Sequence, residues 1–354
     1  MDPLTHALSG ALLARIAART RISSQSQSEQ NIALPLRLQI AAGFAAAAFP
    51  DVDFALRLID TLTYLNWHQG PTHSLILLPL WAWLLAWLFS WFTQRDYTWK
   101  LFFLPACLGI TIHIAEDYIT SYGLMLFAPF STERFSLPLV FVIDPWFSLI
   151  IIVGLIISWR YPRQRVAAIT ALASLCGYVF FLWTLHQQAV EIAIRYTDAQ
   201  ALPKAHITVL PQPLSPFHWK IIVQHDETYH LADMNLHQSQ GQHQATWLLS
   251  KMTAAYRPIL ENNWHIQQQF GGNSTTRTRI REAWLSPAFE SFRVFAQFPI
   301  LERTDTSELG LCIWFYDLRF KFPELPPSFR YGVCRQDDLS DWQMVRRRGL
   351  FYID

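Results

Sequence analysis

Two stretches of this chain run without a charged residue for about the length of a bilayer crossing. Leu75–Phe92 covers 18 residues and Val166–Leu185 covers 20, with no Asp, Glu, Lys or Arg in either. About 20 apolar residues in a helix span the roughly 30 Å hydrocarbon core. Leu101–Ile112 and Pro145–Trp159 are shorter and equally uncharged. The chain is 51% hydrophobic and 16% charged over 354 residues, with the excess in its first half. These features define an integral membrane protein. A net charge of +1 offers no electrostatic footprint for nucleic acid, so no such partner is expected.

The start Met1-Asp2-Pro3 lacks the basic region of a signal peptide, so Leu4–Ala14 reads as a retained first helix. Six spans are expected, at about 3–18, 36–49, 75–92, 101–120, 145–160 and 165–187. The first two are rich in Ala and Gly, which lets membrane helices approach closely. The expected architecture is a membrane all-α helical bundle over 1–187, then an extramembrane, strand-rich α+β domain over 188–354. Lys and Arg in short loops mark the cytoplasmic side. Arg15, Arg19, Arg21 and Arg37, then Arg95 and Lys100, then Arg160, Arg163 and Arg165 define three such ends. The regions 1–6, 50–74 and 117–145, and everything after 187, then face outward. Both termini are expected outside.

That topology gathers nine residues of metal-ligand type at one face. His113 and Asp117 are four apart and share a helix side. Ionisable groups inside a span are costly and point to function. The alternative is a His–Asp hydrogen bond that only ties helices together. His68 and His73 flank Gly70-Pro71, a bend and a helix start, and can converge on a cation. They could instead be ordinary polar interfacial residues. Asp51 and Asp53 follow an apolar helix, where its macrodipole disfavours acids unless a cation compensates; a solvated loop is the alternative. Asp2 and His6 repeat the four-residue spacing, with Asp2 also a natural helix cap. Asp144 before Pro145 reads equally as a cap or a ligand. Mixed His and carboxylate donors suit Zn, Mn or Fe(II). Nine candidates exceed the needs of one four-coordinate ion, so one or two ions are expected.

At these residues the chain resembles the YdjM-like family of LexA-regulated inner-membrane, metal-dependent hydrolases. The matching elements are MDPLTHALSG, FPDVD, H-x-G-P-T-H-S, H-x3-D followed by TSYG, and PFS…RF…IDP, over about residues 1–160. The resemblance implies a bacterial inner-membrane protein with hydrolase activity. It implies that Asp2, His6, Asp51, Asp53, His68, His73, His113 and Asp117 are metal or catalytic positions. Two departures stand out: Gln69 where relatives carry Arg, and Glu116 where an apolar residue is usual.

After residue 187, Pro203, Pro211, Pro213 and Pro216 break the chain and alternating stretches such as Trp219–Val223, Cys312–Phe322 and Phe329–Cys334 read as strands. Cys312 and Cys334 lie about symmetrically around the Pro323–Pro327 turn, which predicts a cross-strand disulfide in an oxidising compartment. Cys107 and Cys176 read as small buried residues of the spans. The expected function is a metal-dependent hydrolase of a lipid headgroup or envelope phosphoester, with the membrane lipid as partner. Asp51, Asp53 and Asp117 are its catalytic candidates. A metal-stabilised scaffold or sensor binding an envelope partner is the alternative. Ion transport is disfavoured because the cytoplasmic halves of the spans carry no comparable acids.

Overall fold

The computed structural model describes residues 1–18, 34–161, 165–237, 255–258, 264–271, 274–337, 340–348 and 351–353. Arg19, Arg21 and Arg163 of the orientation argument lie outside these residues. The chain divides into two compact units, Met1–Ile59 with Trp67–Trp183, and Asp60–Asn66 with Thr184–Asp354.

The first unit is helical. It contains α1 (Pro3–Ala17), α2 (Leu36–Ala48), α4 (Leu78–Phe92), α5 (Trp99–Tyr118), α6 (Pro145–Arg160) and the first half of α7 (Val166–Ala199), while α3 (Thr61–Trp67) falls almost wholly in the second. Helix α1 packs on α2, α5 and α6, and α5 also on α2 and α4. The α1–α2–α5 contact is made by glycines. A Cβ on Gly43 would meet Ala14 Cβ at 2.5 Å and the Gly10 carbonyl at 2.6 Å. One on Gly109 would meet the Gly43 carbonyl at 2.6 Å. The Ala- and Gly-rich helices therefore sit backbone to backbone, as small residues allow.

Six spans are not what the structure supports. Among the described residues, two helices are long and apolar enough to cross a membrane: α5, with 20 residues, and α7, with 34. A third is reached if 61–73 and α4, bent by 81°, count as one broken span. The reason is helix length. At about 1.5 Å per residue, 15-residue α1 and 13-residue α2 reach only about 20 Å. The charge-free run from Leu75 also yields less helix than its length suggests. Ser74 Oγ accepts from the amides of Ile76 (3.1 Å) and Leu77 (3.3 Å) and holds a turn, so α4 begins at Leu78. Helix α6, with 16 residues, starts where expected: Asp144 caps the amides of Trp146 and Phe147 (2.9 Å each) and Pro145 takes the first position.

The second unit is strand-rich, as its alternating sequence implies. One sheet runs β1 (His206–Pro211), β2 (His218–His225), β3 (Thr228–Asn235), β4 (Arg257–Pro258), with β5 (His265–Gln268) also on β3. The other runs β10 (Phe351–Ile353), β9 (Gln343–Arg348), β8 (Tyr331–Arg335), β7 (Gly310–Asp317), β6 (Pro299–Ser307). Between the sheets in sequence lie α8 (Ser274–Leu285) and α9 (Glu290–Phe295). Leu210, Ile222 and Tyr229 of the first sheet share a buried core with Ile300 and Tyr316 of the second. Strand β7 stops short of Phe322, because Asp317 Oδ1 caps the Arg319 amide and turns the chain into a 3-10 segment.

Cys312 and Cys334 are directly paired across β7 and β8 and form a disulfide. Faster migration without reductant than with it is expected for the full chain on denaturing gels, and no thiol labelling at these two positions. Unchanged mobility and full labelling would refute the bond. Of the other two, Cys107 is half-buried, and Cys176 is exposed rather than buried as its place in a span suggests.

Candidate metal centre

The site lies wholly in the first unit, where the ends of α2 and α5 meet the loop before α4. Each ligand candidate is placed by its local chemistry. The chain does not end in a loop after α2, because Pro50 begins a 3-10 segment, Pro50–Leu58. Asp51 and Asp53 thus stand in the first turn of a new helical segment, where the macrodipole favours acids. No cation is needed there to offset an unfavourable helix end, contrary to the expectation for acids that follow α2. His113 and Asp117 project from one side of α5, both almost fully buried. His73, fully buried, ends a short 3-10 turn begun by Gly70-Pro71.

Four donor atoms converge. His113 Nε2 lies 2.9 Å from His73 Nε2, and both lie 3.3 Å from Asp117 Oδ2. Asp51 Oδ1 lies 3.8 Å from His113 Nε2 and 4.0 Å from His73 Nε2. All four are within 4.8 Å of one another. An ion held tetrahedrally at about 2.0–2.1 Å sets its ligands about 3.3 Å apart. The observed spacings bracket that value.

Proton positions sharpen the fit. His113 Nδ1 is 2.6 Å from the Ala47 carbonyl, which can only accept, so Nδ1 carries the proton. The Thr72 hydroxyl donates to Asp53 Oδ2 at 3.3 Å and accepts from His73 Nδ1 at 3.0 Å. With Nδ1 protonated on each ring, Nε2 is the nitrogen left to act as a donor atom, and the two Nε2 atoms face each other and the Asp117 carboxylate. A divalent cation among them would bind both nitrogens and the carboxylate at once. Outer hydrogen bonds of this kind fix ring tautomers in metal sites. Three buried atoms here, His6 Nε2, Asp51 Oδ2 and Gln69 Oε1, have no hydrogen-bond partner. The residues present fit a divalent cation.

A second group, of three, adjoins the first four: Asp51, Asp53 and His68, whose donor atoms also lie within 4.8 Å of one another. His68 Nδ1 pairs with Asp53 Oδ1 at 2.9 Å. Asp53 Oδ2 also accepts from the Gln69 amide at 3.0 Å. Burial raises the Asp53 pKa, but the hydrogen bond and charge of His68, the charge of His73 and the Gln69 amide outweigh it, so the carboxyl lies below its ordinary value. Burial dominates at Asp51, which is raised. Asp51 belongs to both groups and stands between them.

The remaining expected residues support rather than join these groups. His6 Nδ1 is hydrogen-bonded with Glu116 Oε2 at 2.8 Å, its Nε2 lies 3.1 Å from Asp117 Oδ1, and its ring stacks on His113 with centroids 3.8 Å apart. The Met1 amine also contacts Asp117. Asp2 accepts from the Thr5 amide and hydroxyl as the cap of α1, and stands in neither group. Asp144 caps α6 and accepts from Tyr178 at 2.9 Å.

Two contributors were not on the ligand roster. Gln69, at φ 59°, turns its amide to Asp53 and its Nε2 to Asp117 Oδ2 at 2.8 Å. A left-handed conformation is uncommon for a residue with a side chain, and here the two hydrogen bonds hold it. Its sequence signals were its place between His68 and Gly70 and its standing where relatives of the resembled family carry Arg. Arg134, from the RF element, donates to the carbonyls of His68 (3.1 Å) and Gly123 (2.7 Å) and lies over the Tyr122 ring. It braces the histidine loop from behind.

A helical unit with span-length apolar helices and a buried His/Asp centre able to hold a metal defines a membrane protein with a candidate metal site. Residues 1–189, more than half of the chain, match the YdjM inner membrane protein family, and the chain belongs to that family. It is 26% identical over 179 residues to the uncharacterized protein YfhP of Bacillus subtilis (strain 168), covering 50% of this chain and 52% of that protein. The chain thus spans about half the length of the curated relative it matches. No solved structure matches it.

Proposed function

We propose that the chain is a membrane-embedded, metal-dependent hydrolase of an ester or phosphoester at the outer face of the inner membrane. The observation that carries this reading is the convergence of His73 Nε2 and His113 Nε2 with carboxylate oxygens of Asp117 and Asp51. His73, His113, Asp117 and Asp51 would hold one divalent cation. Asp53 and His68, sharing Asp51, would hold a second. A bound divalent cation lowers the pKa of water and polarises a phosphoryl or carbonyl oxygen. The protein's own part is to exclude water, fix both imidazole tautomers through Ala47 and Thr72, and hold Asp117 through Gln69 and His6. With one cation bound, His68, oriented by Asp53, is the group placed to take up a proton.

The outward location is supported by charge. Lys100 stands at the start of α5 and Arg165 just before α7, so positive residues gather at the first end of both span-length helices. His113 and Asp117 lie toward the other end of α5. The Cys312–Cys334 disulfide supports placing the strand-rich unit in an oxidising compartment.

The test is turnover by full-length protein stripped with a chelator and reloaded with Zn, Mn or Fe(II). Hydrolysis of a phosphodiester, phosphomonoester or carboxylic ester that returns with metal, and falls at least about 100-fold in Asp53→Asn, is expected. Stoichiometric metal without turnover on any of the three would leave the scaffold reading in its place.

A further inference from the structure

Along α5, the same two turns that carry His113 and Asp117 present a different face to a cleft. Its wall on this helix runs from Ile112 past Ala115 and Glu116 to Ile119. The cleft is bordered by α1, α7, Leu139 and the start of α6, is open on one side, and has a volume of about 460 Å³. Among its lining residues only Ser9 and Glu116 are polar; the rest are of the kind of Leu12, Leu175 and Trp183. That size falls within the range of small-molecule sites, about 300–1,000 Å³. An apolar cavity of this kind offers water too few partners to fill it.

Two observations say what fills it. Two of its walls, α5 and α7, are the helices long enough to span a bilayer, so the medium around the cleft is hydrocarbon. The 3-10 segment that begins with Asp51 and Asp53 also ends on large apolar side chains turned outward, Leu58 at 90% and Ile59 at 75% exposed. Side chains of this kind suit the membrane interface, not free solution. Glu116, only 3% exposed, lies between the cleft and the centre: its Oε2 is 2.8 Å from His6 Nδ1, and His6 Nε2 is 3.1 Å from Asp117 Oδ1.

We infer that the cleft binds one hydrocarbon chain of a membrane lipid, alongside the His/Asp centre. Resting on the hydrolase reading, this makes the substrate a long-chain amphiphile. Its tail lies against Ala115 and Leu175 while its ester or phosphoester reaches the level of Asp117.

The experiment compares full-length wild type with Ala115→Trp and Leu172→Trp, which fill the cleft from α5 and α7. Bound phospholipid is counted by native mass spectrometry after exchange into detergent, and metal is measured on the same samples. About one retained lipid per wild-type chain is expected, with at least a fivefold loss in each variant and unchanged metal. A second readout leaves the chain unmutated. Cys176 lines the cleft and is exposed. Added palmitoyl-oleoyl-phosphatidylglycerol should slow its maleimide labelling about fivefold and leave Cys107 unaffected. Equal lipid retention in folded, metal-loaded variants, or unprotected Cys176, overturns the chain site. If the hydrolase reading holds, the variants lose turnover of long-chain esters about tenfold and keep that of short-chain ones. Equal loss on both overturns the substrate assignment. Absence of all turnover condemns the hydrolase reading, and lipid retention and thiol protection still decide the chain site.

Discussion

His113→Ala loses the metal. Purified wild-type chain, loaded with Zn and freed of excess, is expected to retain at least one ion per chain. The variant should bind it more than about 100-fold more weakly, since even the outer partners of a metal site are worth 10–100-fold. The substitution removes one of two Nε2 donors that face each other at 2.9 Å and leaves the buried Ala47 carbonyl without its imidazole. Asp117→Asn should lose metal comparably, because it replaces a carboxylate that both histidines approach at 3.3 Å. Gln69→Ala should fall between these variants and wild type, in the 10–100-fold range of an outer partner. Metal content by elemental analysis and affinity by chelator competition give the order. Equal, sub-stoichiometric metal in wild type, His113→Ala and Asp117→Asn would end the metal reading. In that event the histidines would serve only to tie helices together.

Much of this centre was legible because its chemistry is local. The four-residue spacing of His113 and Asp117 is a property of any helix, and the Gly70-Pro71 bend needs no tertiary context to bring His73 into a turn. The Cys312–Cys334 bond was legible for the same reason, from a turn with cysteines on both sides. What was not legible depends on where the chain stops being helical. Hydropathy counts charge-free residues and does not see Ser74 turning the backbone at Ile76 and Leu77, so 18 apolar residues gave a 15-residue helix. It does not see Pro50 restarting a helical segment under Asp51 either. Gln69 was seen as a departure from the family, but its role rests on a backbone conformation that composition does not announce. Asp2 shows one spacing open to two readings. Its spacing to His6 copies that of His113 and Asp117, yet a carboxylate just before Pro3 caps its own helix.

The small residues of α1, α2 and α5 tie packing to chemistry, which gives the second large effect. Gly43→Leu is expected to destabilise the chain by about 1–3 kcal/mol or more, the range of an overpacked core. Even a Cβ at this position would lie 2.5 Å from Ala14 Cβ and 2.6 Å from the Gly10 carbonyl. Both neighbours belong to a packed helix and cannot swing aside. Helix α2 must move away from α1, and it carries the Ala47 carbonyl that holds His113 Nδ1. Metal affinity should therefore fall about 10–100-fold although no ligand has changed. Gly109→Ala should act in the same direction from α5, where its Cβ would meet the Gly43 carbonyl at 2.6 Å and the Ala47 amide nitrogen at 2.9 Å. Gly177 supplies the control. It lies within α7, and nothing stands within 4 Å of a Cβ built on it. Gly177→Ala should stabilise by about 0.5–1 kcal/mol, the ordinary helix preference for alanine over glycine. Thermal unfolding in detergent, read beside metal affinity, separates the two signs. If Gly43→Leu unfolds at the wild-type temperature with wild-type metal affinity, the close approach of α1 and α2 does not position the centre. If affinity falls for Gly43→Leu and Gly109→Ala but holds for Gly177→Ala, the glycine contact is what sets His113 against His73.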